Sequence, residues 1–248
     1  MAQLHPKDRS ALDSFTEDLR RLHGDSLVAA LLTGEAASGG YRPRRSPLST
    51  VVVLSEVTVD VLRRTRPRLR GWRRRRIPTP LLMDPAYIES AIDVFPIEFL
   101  EIADHHLLLS GDGNPFADLT VHLPHLRLEV EEQIRGKMLH LWEAYLEAGG
   151  SKRMLRRLLL ETPPGFEMIL RGMLRLQQGE AEEGPSRPDA PSELLADVER
   201  RFELELPVFR RLERVREGAE RLPRHELESV FESYLAEVRR LVRVTDAL

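Results

Sequence analysis

Hydrophobic positions along the first 110 residues change period several times. Residues 8 to 23 place Leu12, Phe15, Leu19 and Leu22 at steps of three and four, which predicts one apolar face of a helix. SLVAALLT, residues 26 to 33, is a continuous apolar run that stops at Gly34 and reads as a buried strand. STVVVL, residues 49 to 54, is rich in β-branched residues and reads as its neighbour, with a Gly, Ser, Pro and Arg loop between the two. From Val57 to Arg70 the pattern predicts a basic helix broken at Pro67. TPLLM at 79 to 83 is a strand candidate ahead of a helix start at Pro85, and VFPIEFLEI, residues 94 to 102, predicts a third strand.

After Pro124 every long segment has helical periodicity. Leu128, Ile134, Met138, Leu141, Tyr145 and Ala148 form a stripe over 125 to 148, closed by Gly149 and Gly150. Further helices are predicted at 151 to 161, 165 to 177, 192 to 204, 207 to 216 and 224 to 246. The polar, Pro/Gly-containing stretch QQGEAEEGPSRPDAPS, 177 to 192, reads as a mobile linker. The predicted organisation is α+β: a mixed domain over 1–120 and a helical bundle over 121–248. Amphipathic helices must bury their apolar faces within the chain or against a second copy, so a homodimer is one expected arrangement.

Composition narrows the setting. With 248 residues and 42% hydrophobic content the chain can bury a sizeable core. Cysteine is absent, which removes disulfides and thiolate metal sites and suits the cytoplasm. The N-terminus lacks a secretory apolar segment and no apolar run is long enough to cross a bilayer, so no membrane association is expected. The net charge of -3 conceals an asymmetry: residues 1 to 80 hold 16 Lys/Arg against 8 Asp/Glu, and the remainder holds 21 against 32. A basic front can steer an anionic ligand or help the two halves dock.

Residues 31 to 54, LLTGEAASGGYRPRRSPLSTVVVL, are similar without a gap to the pattern LxGSAAGGxYxxxxSDIDLLVVL of nucleotidyltransferases in the DNA polymerase beta-like superfamily. Gly34, Ala36, Ala37, Gly39, Tyr41, Ser46 and Val51 to Leu54 fall on family positions. A broader resemblance runs from about 25 to 177, through DVFPIEFLEIADHHLLLSGDGNPFADL and LPHLRLEVEEQIRGKMLHLWEAYLEAGG. It points to a bacterial group of nucleotidyltransferase-like proteins with a helical C-terminal region. In the superfamily the Gly-Ser turn binds the triphosphate, and two carboxylates one residue apart on a strand share a face and hold a pair of Mg²⁺ ions. A third carboxylate comes from an adjacent strand. The resemblance implies a helical region packed against the sheet domain.

The departures fall on the chemistry. Glu35 stands where the phosphate-binding Ser belongs, Pro47 where the first Asp belongs and Ser49 where the second belongs. The resemblance leaves Glu98, in IEFLEI, on the third carboxylate position, as a residual metal-ligand candidate. Gly34, Glu35 and Ser46 are the candidate nucleotide-binding positions. The expected function is that of a catalytically inactive nucleotidyltransferase-fold protein acting as a binding or regulatory module, with no cofactor and an unidentified ligand or protein partner. The alternative is a Mg-dependent nucleotidyltransferase with a non-standard carboxylate set built on Glu35 and Glu98.

Other clusters carry weaker chemistry. RRTRPRLRGWRRRR, residues 63 to 76, surrounds Trp72, a candidate stacking aromatic, with arginines and makes Arg73, Arg74, Arg75 and Arg76 candidates for an anionic ligand, with nucleic acid the lesser reading beside a solvated basic face. His105 and His106 beside Asp104, and His122 and His125, lack a diagnostic metal spacing and read as solvent-facing or hydrogen-bonded. Asp112, Asn114 and Asp118 read as turn and cap residues. Glu131 and Glu132 read as surface partners of Arg127 and Arg135 at helical spacing. No nucleophile elbow, phosphate loop of the Walker type or dinucleotide glycine fingerprint occurs.

Overall fold

The computed structural model describes residues 4–38, 40–179 and 190–248. The chain divides into two units, Met1–Val121 and His122–Leu248. Gly39 of the glycine-rich loop, and residues 180–189 of the expected linker, lie outside the described residues. At its edges that linker is ordered, because the flanking helices run to Gln178 and restart at Pro191.

In the first unit, helix α1 (Pro6–His23) opens with proline in its first turn, where the missing N–H costs nothing. Strands β1 (Leu27–Thr33) and β2 (Ser49–Leu54) pair antiparallel, with Thr33 opposite Ser49. Helix α2 (Val59–Thr65), a 3-10 turn at Arg66–Arg68 and helix α3 (Leu69–Arg74) follow. Pro67 falls in the first turn of the 3-10 segment, so the chain tightens there and stays helical to Arg74. Strand β3 (Leu81–Met83) runs parallel to β2. Helices α4 (Pro85–Ala91) and α5 (Pro96–Asp104) come next, and strand β4 (Leu107–Ser110) pairs antiparallel with β1. The sheet order is β3-β2-β1-β4.

The pleat sorts the strand residues between two cores. Ala30, Leu32, Val52 and Leu54 meet Leu12, Phe15, Leu19, Val61 and Trp72 on one face. Ala29, Leu31, Val51 and Val53 meet Met83, Ile88, Phe99, Ile102 and Phe116 on the other. Burial on both faces is why these strands read as unbroken apolar runs.

The segment 94 to 102, expected as a strand, instead leads into and forms most of α5. Its alternation fails at Leu100 and Glu101, whereas Ile97/Leu100 and Phe99/Ile102 are each a helical step of three apart, and all four are buried. Pro96 suits a first helical turn and would remove a ladder hydrogen bond from a strand. The strand on that side of the sheet is the shorter LLLS that follows the paired histidines.

The second unit contains α6 (Leu123–Ala148), α7 (Lys152–Glu161), a 3-10 turn at Pro163–Phe166, α8 (Glu167–Gln178), α9 (Pro191–Phe202), α10 (Pro207–Glu217) and α11 (Leu227–Thr245). Helix α6 ends as expected, on Gly149 in the left-handed conformation. Its buried face is Leu126, Val130, Ile134, Leu141 and Ala148; Leu128, placed in the stripe by sequence, is 67% exposed. Two residues along a helix turn the side chain by about 200°, so burial of Leu126 carries Leu128 to the opposite side.

Phe166, Phe209 and Tyr234 form an aromatic cluster, with Phe209 and Tyr234 centroids 4.9 Å apart. Beside them the buried carboxylate of Glu237 on α11 accepts the backbone N–H groups of Val208 at 2.8 Å and Phe209 at 3.0 Å, at the positive end of α10. Burial pushes Glu237 above the usual carboxylate range even though those N–H groups oppose the shift. No helix among the described residues is long and apolar enough to cross a membrane.

Gly111 follows β4 with φ at +108°, and an added Cβ would lie 2.4 Å from the Val28 carbonyl oxygen on β1. Gly111→Ala is therefore expected to destabilise the protein by more than about 1 kcal/mol, because both the conformation and the space demand glycine. Gly113→Ala, two residues on and with open space around it, should stay within about 0.5 kcal/mol of wild type. Urea denaturation of both variants checks this; equal midpoints would contradict it.

Candidate functional site

The loop joining β1 to β2 begins at Gly34, whose φ of +67° is a left-handed conformation suited to glycine. A 3-10 turn, Gly34–Ala36, follows and sets Glu35 at the mouth of the loop. The Ser46 hydroxyl donates to Glu35 Oε2 at 2.8 Å and accepts from the Arg42 backbone N–H at 3.0 Å. The Arg42 guanidinium lies 3.6 Å from the same carboxylate oxygen. Ser46 is 1% exposed, so the loop folds inward on this serine and Glu35 is its anion.

The rest of the loop is fixed by a residue on α1. Asp8, 2% exposed, accepts from Tyr41 Oη at 2.7 Å and from the Arg44 backbone N–H at 3.2 Å, and it pairs with the Arg76 guanidinium. Arg76 also donates to the Ser46 carbonyl at 3.0 Å, and its own carbonyl accepts from the Leu48 N–H at 2.9 Å. Burial would raise the Asp8 pKa, but hydrogen bonds from Arg76, Tyr41 and Arg44 together outweigh it and hold the carboxyl below its ordinary value. Arg44 and Arg76 both adopt positive φ, a strained state for arginine that Asp8 holds from both sides.

The site residues predicted from sequence fall in different surroundings. Pro47 is exposed at the end of the loop and Ser49 is half-buried at the first position of β2. Ser49 Oγ lies 3.9 Å from where a Cβ on Gly34 would sit, so these two positions of the motif are neighbours. Neither strand beside β2, Leu81–Met83 nor Leu27–Thr33, has a carboxylate. Glu98, assigned to a strand by its resemblance to the family, is half-buried on α5, a helix.

The arginine run separates. Arg73, Arg74 and Arg75 are exposed, whereas Arg76 is the partner of Asp8. Trp72 offers no stacking surface: it is 1% exposed, packs edge-on against Phe15 at 4.8 Å and donates its indole N–H to Asp18 at 3.0 Å.

His105 is buried with Nδ1 3.5 Å from Glu101, and His106 lies 3.4 Å from the Asn114 amide. Asn114 also accepts from the Phe116 N–H at 3.0 Å, a turn-closing role. Among the described residues no three His, Asp or Glu side chains converge as metal ligands would. Glu131 pairs with Arg127 at 2.9 Å along α6. The sequence reading missed Asp8, whose partners lie 33 to 68 positions away and leave no local signal.

A mixed sheet with helices on both faces, a glycine turn between antiparallel strands and a following helical bundle together define a nucleotidyltransferase-like α+β fold. No protein-family model matches the sequence, and no curated protein matches it. Among solved structures, the spectinomycin adenyltransferase AAD(9) from Enterococcus faecialis, crystallised with ATP and spectinomycin, is similar with a TM-score of 0.57. The match covers 93% of this chain and 99% of that one at 10% identity. At that identity the likeness establishes the fold alone.

Because Asp8 is held below its ordinary value when folded, its contribution to stability is complete above about pH 4, the unfolded carboxylate range, and is lost as pH falls through the folded value. The stability difference between wild type and Asp8→Asn is expected to be full at pH 7 and to shrink progressively below about pH 4. Urea titrations across that range measure it, and a gap that widens toward acid would contradict the assignment.

Proposed function

We propose that this chain is a catalytically inactive member of the nucleotidyltransferase-like fold that acts as a binding or regulatory module. The observation that carries the reading is the state of Glu35. At the place where the resemblance puts a phosphate-binding serine, the chain supplies its own carboxylate, engaged by the Ser46 hydroxyl and beside Arg42. An anion is already built into the loop, and its charge repels a triphosphate.

The donor set does not fit the pair of Mg²⁺ ions that the fold implies. Such ions take carboxylates and phosphate oxygens in near-octahedral geometry. Position 47 offers a proline ring, position 49 an alcohol, and the adjoining strand β3 only Leu81, Leu82 and Met83. Glu98 belongs to a helix that also contributes Phe99 and Ile102 to the core, so it is not the strand-borne third ligand of the family pattern.

Calorimetric titration of ATP with and without Mg²⁺ tests the proposal. Wild type is expected to show no Mg²⁺-dependent uptake. The triple variant Glu35→Ser, Pro47→Asp, Ser49→Asp is expected to gain weak Mg²⁺-dependent binding with little turnover, because metal catalysis tolerates only small errors in ligand placement. Tight Mg²⁺-ATP binding by wild type, or nucleotide transfer abolished by Glu98→Ala, would overturn the reading in favour of an active transferase.

A further inference from the structure

The first unit is electrically divided across its sheet. Residues 1 to 80 hold all of its lysines and arginines, and residues 81 to 121 hold eight acids and no Lys or Arg. The basic residues flank the face covered by α1, α2 and α3, while α4 and α5 bring the acids to the other face.

On the basic side, two segments distant in sequence are clamped together. The loop 42–46 and the turn at 73–76 meet through Arg76, which bonds the Ser46 carbonyl and the Asp8 carboxylate, while Asp8 takes the Arg44 N–H. Arg44, Arg45, Arg66, Arg70, Arg74 and Arg75 are exposed, and their side chains make no ion pair or hydrogen bond among the described residues. Arg66, Arg70 and Arg74 recur at steps of four, on the outer side of a helical segment whose inner side is pinned by buried Trp72. The neighbouring Arg63 and Arg68 are different, since they lie against Asp60 and Asp18.

We infer that this arginine face binds the phosphate backbone of double-stranded nucleic acid, without reading its sequence. Every basic residue between Arg42 and Arg76 is arginine, whose planar fork matches phosphate oxygens with paired hydrogen bonds. A protein partner would require apolar anchors at the centre of the interface; the exposed apolar side chain on the arginine row, Leu62, stands at its N-terminal edge, and none is exposed between Arg63 and Thr79. Binding of unpaired bases would require exposed aromatic rings. The exposed ones in this unit, Tyr87 and Phe95, belong to the acidic side, Trp72 is buried, and Tyr41 is tied to Asp8. What the face presents is fixed positive charge without stacking groups, which suits a duplex backbone. Arg44 and Arg45 share the loop of the Glu35–Ser46 pairing, but neither guanidinium takes part in that pairing, so phosphate binding by this face does not require the loop to be inactive.

Fluorescence anisotropy with labelled duplexes of about 20 base pairs, DNA and RNA, titrated over about 50 to 200 mM salt, tests the inference. Affinity is expected to fall steeply with salt. Arg74→Ala/Arg75→Ala and Arg44→Ala/Arg45→Ala should each weaken binding about tenfold or more at low salt and flatten the salt slope by about 0.9 for each phosphate no longer neutralised. Arg239→Ala/Arg243→Ala, a pair equally exposed on α11, should change it less than about twofold, with all variants keeping wild-type circular dichroism. Absence of duplex binding at low salt, equal weakening by the α11 pair, or equal binding of single strands, polyglutamate or phosphatidylserine vesicles would each overturn it.

Discussion

The first unit depends on a carboxylate that has almost no contact with water. Asp8 sits on α1, yet its partners come from the β1–β2 loop and from the end of α3, so a single charge ties three separate pieces of chain. A buried carboxylate is tolerable only when its lone pairs are met by hydrogen bonds and its charge by a cation. Here a phenol, a backbone amide and a guanidinium meet those needs. Both residues that Asp8 meets through Arg44 N–H and the Arg76 guanidinium have positive φ, and the Arg76 carbonyl accepts the Leu48 amide at the entry of β2.

That constraint holds the second half of the β1–β2 loop, from Tyr41 to Ser46, against α1 and the turn after α3. Ser46, Glu35 and Arg42 close a local circuit within the loop, so its anion is supplied from inside. The same logic recurs in the second unit. Glu237 caps the N-terminus of α10, and Glu199 accepts from the Leu206 N–H at 2.7 Å and pairs with Arg210. Burial works to raise Glu199, but Arg210 and the Leu206 N–H more than offset it and hold its pKa low. Asp8, Glu35, Glu199 and Glu237, buried or half-buried, serve chain ends and loops, a structural use of groups that elsewhere hold metal ions.

Charge that is not needed for these interactions is partitioned by the sheet. The acids of residues 81 to 121 and the arginines before them are adjacent in sequence, and the sheet separates them by placing α4 and α5 on the face opposite α1, α2 and α3. A unit with equal numbers of each sign thus presents a strongly positive side, and the field near that side is set by local density rather than by net charge.

Sequence by itself determined the elements whose periodicity is long or whose burial is two-sided: α1, β1, β2 and the helices of the second unit. The pairing of Thr33 with Ser49 brings Gly34 and Ser49 together at the mouth of the β1–β2 loop. Sequence failed at the segment 94 to 102, where four apolar residues fit two periods over a short run and only packing against the sheet chooses between them. It also misjudged Trp72 and Leu128. A helix two turns long, or a rotation of one stripe, is decided by what lies against it, and that comes from distant chain. Only the tertiary structure could assign Asp8 its role, divide Arg76 from Arg73, Arg74 and Arg75, and draw Arg44 and Arg45 beside them. Those assignments rest on interactions across 33 to 68 residues, whose geometry exists only once the chain has folded.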